Sequence, residues 1–222
     1  MSYYAEKLSA QRLRKCYDIA PPRVRQDLDA EVAHVAGRIR PGDTVLELGC
    51  GYGRIFEKLT DRSTTLIGID TALSSLQLGR EMFGGFGNVH FLQMDAANLA
   101  FCDGAFDVVL CIQNGLSAFK VNQRDLIGES VRVTRPGGRV LLSTYAEKFW
   151  EHRLRWFKLQ ADHGLLGEID QRATGNGVIV CRDGFKATTI TPDNFQALTN
   201  ELAQRTHLLE VDKSSLFCEI SV

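Results

Sequence analysis

The apolar positions of this chain change period repeatedly. Val24, Leu28, Val32, Val35 and Ile39 recur at helical spacing after Pro21-Pro22, and Pro41-Gly42-Asp43 ends that segment. Thr44-Val45-Leu46-Glu47-Leu48 is a short β-rich run into glycines, with helical spacing resuming after Arg54. Thr65-Leu66-Ile67-Gly68-Ile69 predicts a second strand, and Leu73, Leu76 and Phe83 mark the helix after it. Val89–Gln93 and Phe106–Leu110 predict strands three and four; Leu126, Ile127, Ser130 and Val131 line a helix before the Pro136-Gly137-Gly138 turn, and Val140–Ser143 is the fifth strand. Strands alternating with helical stretches predict an α/β fold, a parallel sheet covered by helices on both faces.

The pattern changes after Tyr145. Residues 146–170 read as helical, Val178–Cys181 and Phe185–Thr189 flank Arg182-Asp183-Gly184 as a hairpin, and Thr191-Pro192 starts another helix. Two closing strands, near 206–211 and 216–221, lie too close together for a helical crossover, so they pair antiparallel. With no repeat and no low-complexity linker, residues 1–222 read as one domain. Its parts are an N-terminal helical cover (1–40), a core (43–145), an insertion after the fifth strand (146–190), and a closing helix and strand pair (191–222).

Composition narrows the function classes. Apolar residues make up 44% and charged residues 24% of the chain, and the net charge of −1 gives no global attraction to nucleic acid or acidic membranes. Cys16, Cys50, Cys102, Cys111, Cys181 and Cys218 form no CxxC pair and join no histidine cluster, so no metal site is expected. Their scatter through apolar strands suits buried thiols in a reducing compartment. The sequence shows neither a signal-like apolar segment near its start nor a run long enough to span a membrane, so a cytoplasmic location is expected.

The most informative segment is Glu47-Leu48-Gly49-Cys50-Gly51-Tyr52-Gly53-Arg54. Glycine at alternate positions lets the backbone turn sharply and lets a ligand lie against it. Alone, the loop reads first as strand-to-helix packing, which favours glycine. Asp70, at the end of the second strand, stands where a carboxylate accepts hydrogen bonds from ribose hydroxyls; it also reads as a cap for the helix from Thr71. Asp95-Ala96, after the third strand, stands where a carboxylate accepts an exocyclic adenine amine, or caps its loop. All three positions fall at C-terminal ends of neighbouring parallel strands, the ligand crevice of an open α/β sheet.

Glu47–Gly53 resembles motif I of the class I S-adenosylmethionine (SAM)-dependent methyltransferases. Asp70 matches that family's ribose acid and Asp95-Ala96 its adenine edge. Phe106-Asp107-Val108-Val109 is similar to its fourth-strand motif, and Arg135-Pro136-Gly137-Gly138-Arg139-Val140-Leu141 to its turn into the fifth strand. The resemblance runs in order across residues 43–145 and implies a Rossmann-like, seven-stranded, mostly parallel sheet with an antiparallel last strand. It implies SAM as cofactor, held by Glu47, Gly49, Cys50, Gly51, Gly53, Asp70, Thr71, Asp95 and Ala96. Gln113 and Asn114 would fall where cofactor and substrate pockets meet.

A SAM-dependent methyltransferase needs little from its side chains. The sulfonium methyl is already activated, and alignment with exclusion of water supplies about 7–11 kcal/mol in favourable cases; a general base is needed only when the nucleophile must lose a proton early. No catalytic residue is therefore singled out, and no GxSxG, HExxH or P-loop offers a rival chemistry. The acceptor is expected to be a small molecule, met by Tyr17, Asn114, Tyr145 and Trp150. Within Lys148–Lys158 aromatics alternate with cations: either a lid over the substrate, or, the favoured reading, an amphipathic helix burying Phe149, Trp150 and Phe157 with its cations solvated. The basic run in residues 1–25 reads as a solvated helix face or an anion-binding one, and Tyr3, Tyr4 and Tyr17 reach the cofactor if that segment folds over it. Two alternatives stay open: an NAD(P)-dependent oxidoreductase, which favours glycine at the position of Arg54, and a SAM-binding protein without turnover. The sequence is silent on oligomeric state.

Overall fold

A computed structural model describes residues 3–60 and 65–222. Three helices lead the chain: α1 (Tyr3–Lys7), α2 (Ala10–Asp18) and α3 (Pro22–Ala36), the last with proline at its first position. The core follows as β1 (Thr44–Leu48), β2 (Thr65–Asp70), α4 (Leu73–Met82), β3 (Val89–Gln93), β4 (Phe106–Cys111), α5 (Gly115–Ala118), α6 (Gln123–Val133) and β5 (Thr134–Tyr145). Beyond it come α7 (Trp150–Asp162), the hairpin strands β6 (Ile179–Val180) and β7 (Lys186–Ala187), α8 (Pro192–Thr199), β8 (Arg205–Val211) and β9 (Ser215–Ser221).

The main sheet has seven strands in the order β3-β2-β1-β4-β5-β9-β8. Pairs among β1 to β5 are parallel, and β9 runs antiparallel to both β5 and β8. This is the expected Rossmann-like sheet with its reversed last strand. Strand side chains alternate between two cores, as a sheet covered on both faces requires. Leu46, Val109 and Leu142 pack with Leu126 and Ile127 of α6 and Phe195 of α8. Val45, Val108 and Leu141 pack on the other face with Val32 and Val35 of α3 and Leu76 of α4.

A third core lies beyond the sheet. Leu8, Cys16, Val24 and Leu28 of the N-terminal helices pack with Tyr145, Phe149, Trp156 and Phe157, and with Ile179 and Phe185 of the hairpin. The leading helices and the segment after β5 thus cover the same edge of the sheet. Among the described residues no helix is long and apolar enough to cross a membrane.

Three expectations need correction. After the glycine loop the chain forms a 3-10 turn, Phe56–Lys58, where the sequence predicts an α-helix after Arg54. Its apolar residues Ile55, Phe56 and Leu59 have helical spacing, but Phe56 bonds back to Gly53 and Leu59 to Phe56 in the tighter i to i+3 pattern. The helix predicted for 146–170 is confined to α7, because Gly164 adopts a left-handed φ of 65° and ends it. The Pro136-Gly137-Gly138 turn lies inside β5 as an irregularity, where the register with β4 shifts between Phe106 and Val108. The hairpin and the Thr191 cap stand as expected; Thr191 and Asn194 form a capping box on α8.

Gly79 makes a sharp test of the packing between α4 and β3. A Cβ there would lie 2.6 Å from the Phe91 ring. Alanine normally gains about 1 kcal/mol over glycine in a helix. Here overpacking costs about 1–3 kcal/mol, so Gly79→Ala is expected to lower the melting temperature in a calorimetric scan. An unchanged or higher value would contradict this packing.

Candidate functional site

The glycine loop is held by the strand next to it. Gly49, Gly51 and Gly53 have φ of 70°, 57° and 78°, a region costly for any side chain. The Gly51 N–H donates to one Asp70 oxygen at 2.9 Å, and the Ala72 N–H donates to the other at 2.8 Å. Asp70 therefore ties the loop of β1 to the residue before α4; that helix is capped at Ala72 without a side-chain bond, so Asp70 is not its cap as the sequence also allowed. The three glycines differ in what they face. Gly49 faces the Phe119 ring, and Gly51 faces the Leu13 side chain of α2. A Cβ at Gly53 would lie 2.7 Å from Phe91, so this glycine serves packing between loop and sheet.

Behind the loop sits a buried charged cluster. Glu47 on β1 and Glu31 on α3 are both buried, and the Oε2 atom of each lacks a hydrogen-bond partner. Arg54 approaches Glu31 Oε2 at 3.7 Å while its guanidinium lies 4.8 Å from the Tyr17 ring centroid. Burial pushes the Glu47 carboxyl up to about 8, against the pull of Arg54 and with a push from Glu31 and Asp70. Burial and the neighbouring Asp27 carry Glu31 to about 7, offset in part by Arg54.

Glu31 also pins the end of β4. The Gln113 N–H donates to Glu31 Oε1 at 3.0 Å and to Ser143 Oγ at 2.8 Å, and the Ser143 hydroxyl donates to the same carboxylate. Gln113 and Asn114 have φ of 57° and 64°, left-handed at two consecutive non-glycine positions. Such strain persists where surrounding bonds over-determine it. Here those bonds include Asn114 N–H to the Ser143 carbonyl, 3.1 Å, and the Thr144 hydroxyl to Asn114 Oδ1, 2.7 Å.

A cavity of about 380 Å³ opens at this edge, in the size range of small-molecule sites. One end is lined by Gly49, Asp70, Thr71, Asp95, Ala96, Gln113 and Asn114; the other by Tyr4, Tyr17, Tyr145, Trp156, Phe157 and Phe185. Most of the residues singled out in the sequence therefore share one wall. Glu47, Cys50, Gly51 and Gly53 are buried behind that wall. Trp150 is half-buried outside the lining, and Trp156 lines it instead, its indole N–H donating to the Cys16 carbonyl at 2.9 Å. Tyr4 and Tyr17 reach the cavity, whereas the Tyr3 hydroxyl bonds Asp183. The cations of α7 divide: Arg155 is exposed, but Arg153 is fully buried, against the expectation that all would be solvated.

Glu31 and Arg153 were not singled out in the sequence, yet a signal was there. Glu31 falls between Leu28 and Val35 on the apolar stripe of α3, and Arg153 between Trp150 and Trp156 on α7. A charge on a buried helix face is the informative exception to patterning.

Comparison with known proteins agrees with this architecture. Residues 45–138 match the family described as "Methyltransferase domain". The ubiquinone/menaquinone biosynthesis C-methyltransferase UbiE of Vibrio vulnificus (strain YJ016) is 31% identical over 142 residues, covering 59% of this chain and 52% of its own length. Its counterpart from Vibrio campbellii is 35% identical over the same shares. The chain thus spans about half the length of these curated relatives. Among solved structures, a SAM-dependent methyltransferase from Aquifex aeolicus superposes with a TM-score of 0.64 at 16% identity, over 94% of this chain and 98% of that one. A [4+2]-cyclase, SpnF, shares the fold at a TM-score of 0.51 and 22% identity, over 61% of this chain and 57% of its own. The fold by itself does not fix the chemistry. Residues 45–138 therefore match a methyltransferase domain, and the motifs and the sheet order agree with that match.

The buried carboxyls give a signed pH prediction. A folded-state value raised above the unfolded one means that the folded chain keeps a proton the unfolded chain releases. Stability from this source is full below the ordinary glutamate range and is lost as pH rises to about 8 for Glu47 and about 7 for Glu31. Denaturation curves across that window should therefore show Glu47→Gln gaining on the wild type by on the order of 1 kcal/mol or more. A constant difference between the two would refute an uncharged buried Glu47.

Proposed function

We propose that this chain binds SAM at the sheet edge and transfers its methyl group to a small molecule held under the N-terminal helices and α7. The observation that carries this reading is the single two-ended cavity. Its Gly49–Asp70–Asp95 end suits an adenosyl group, and its other end is walled by rings from the leading helices and the segment after β5. Asp70 accepts ribose hydroxyls, Asp95 and the Ala96 backbone meet the adenine edge, and Thr71 flanks the ribose. Glu47 acts behind the loop on the amino group of the cofactor, where its unpartnered oxygen lacks a donor. Cys50, Gly51 and Gly53 shape the loop backbone rather than contact the ligand.

The reaction is an in-line displacement. A lone pair of the acceptor forms a bond to the methyl carbon, the carbon–sulfur bond breaks, and sulfur keeps the electron pair as a neutral thioether. The chain aligns the two partners and excludes water; Gln113, Asn114 and Tyr145 stand at the junction of the two ends. Gly53, Glu47 and the second acid, Asp95, favour this cofactor over a dinucleotide. All six cysteines are free, which supports a cytoplasmic setting.

Calorimetry with S-adenosylhomocysteine (SAH) and NAD in parallel tests the cofactor. SAH is expected to bind and NAD not; binding of NAD alone would overturn the reading. Asp70→Ala removes an acceptor of charge-assisted hydrogen bonds and loosens Gly51, so SAH affinity should fall roughly 10- to 100-fold in a protein that still folds. Wild-type affinity in that variant would show that Asp70 does not hold the ligand. Turnover is read as SAH formed from SAM over a panel of small-molecule acceptors.

A further inference from the structure

The segment after β5 carries a charge that nothing around it balances. Arg153 is fully buried; its Nη1 donates to the Gly177 carbonyl at 2.9 Å, while Nε and Nη2 have no hydrogen-bond partner. Its guanidinium carbon lies 4.7 Å from the Tyr145 ring centroid, 5.5 Å from that of Phe157 and 6.0 Å from that of Trp150. Among the described residues no carboxylate pairs with it, and the ionisable groups that act on it are Tyr145 and Tyr4. Burying an unpaired cation is costly, and facing rings compensate only in part.

Arg153 stands immediately behind the cavity wall, because Tyr145 and Phe157 both line it. The other lining side chains there, among them Tyr4, Leu8, Cys16, Tyr17, Trp156, Gln160 and Phe185, carry no charge at neutral pH. The lining carboxylates, Asp70 and Asp95, lie at the opposite end. A ligand beside those rings therefore meets mostly apolar surface and, from behind Tyr145 and Phe157, the positive field of a buried guanidinium. We propose that the methyl acceptor is a small ring-bearing anion, a carboxylate or phenolate, recognised through Arg153. This rests on the methyl-transfer reading only in calling the ligand the acceptor. SAM ends in a carboxylate of its own, so the cofactor is the other source of an anion, and the test separates the two.

Trp150→Phe leaves Trp156 as the sole tryptophan, a reporter within the cavity wall. Its fluorescence is followed while benzoate, benzamide and benzylamine, matched in shape and differing in charge, are titrated into the SAH-loaded protein. Benzoate is expected to bind at least roughly tenfold more tightly than benzamide, with benzylamine weakest. Arg153→Met should abolish that preference and Arg153→Lys should keep part of it, both with unchanged SAH affinity by calorimetry. The proposal is overturned if benzamide matches benzoate, if benzoate fails to bind at millimolar concentration, or if its preference survives in folded Arg153→Met. A tenfold loss of SAH affinity in that variant also overturns it, by assigning Arg153 to the cofactor. Should Arg153→Met fail to fold, the wild-type charge series and Arg153→Lys decide. If SAH does not bind the wild type, the donor reading fails, and the same titration without SAH still decides the anion site.

Discussion

The site depends on one carboxylate holding two backbone segments. Asp70 accepts from Gly51 on one oxygen and from Ala72 on the other, so the ends of β1 and β2 open at a fixed separation. The parallel register beneath it, Glu47 beside Gly68 and Leu48 beside Ile69, brings both strands to the same edge. Without that tie the left-handed loop would lose its partner, and the left-handed residues after β4 would face a different neighbour. The structural tie and the proposed ligand contact therefore draw on the same side chain.

Around this tie the protein gathers charge where its fold would prefer none. Glu31, Glu47 and Asp27 are buried with Arg54 near them, and Arg153 is buried on the far side without an acid. In the first group burial holds Glu47 and Glu31 toward their neutral forms, which a nearby cation would reverse, and the second is short of negative charge. A cofactor bearing a sulfonium and an ammonium suits the first. The proposed anionic acceptor suits the second. The groups buried behind the cavity wall thus have opposite electrostatic needs, which would order the proposed donor and acceptor along it.

The cover of the cavity comes from distant parts of the chain. Trp156 of α7 bonds the Cys16 carbonyl of α2, and Tyr3 of α1 bonds Asp183 beside the hairpin. Both contacts join the leading helices to the segment after β5. These ties join the two segments that wall the cavity with rings, where the proposed transfer would need water excluded. The same contacts make the N-terminal helices part of the site rather than an appendage to it.

Much of this was written in local patterns. Strand alternation, the glycine spacing and the placement of Asp70 and Asp95 at strand ends determined the parallel core and one end of the cavity, because sheet periodicity and backbone freedom are properties of neighbouring residues. The reach of α7, the 3-10 turn after Gly53 and the exchange of Trp150 for Trp156 in the wall depended on packing between segments far apart in the chain. So did the burial of Glu31 and Arg153: their positions on apolar stripes are visible in the sequence, but whether a charge there is solvated or enclosed is decided only when the leading helices meet the segment after β5. Burial is a property of what lies opposite, and that is fixed by the tertiary fold.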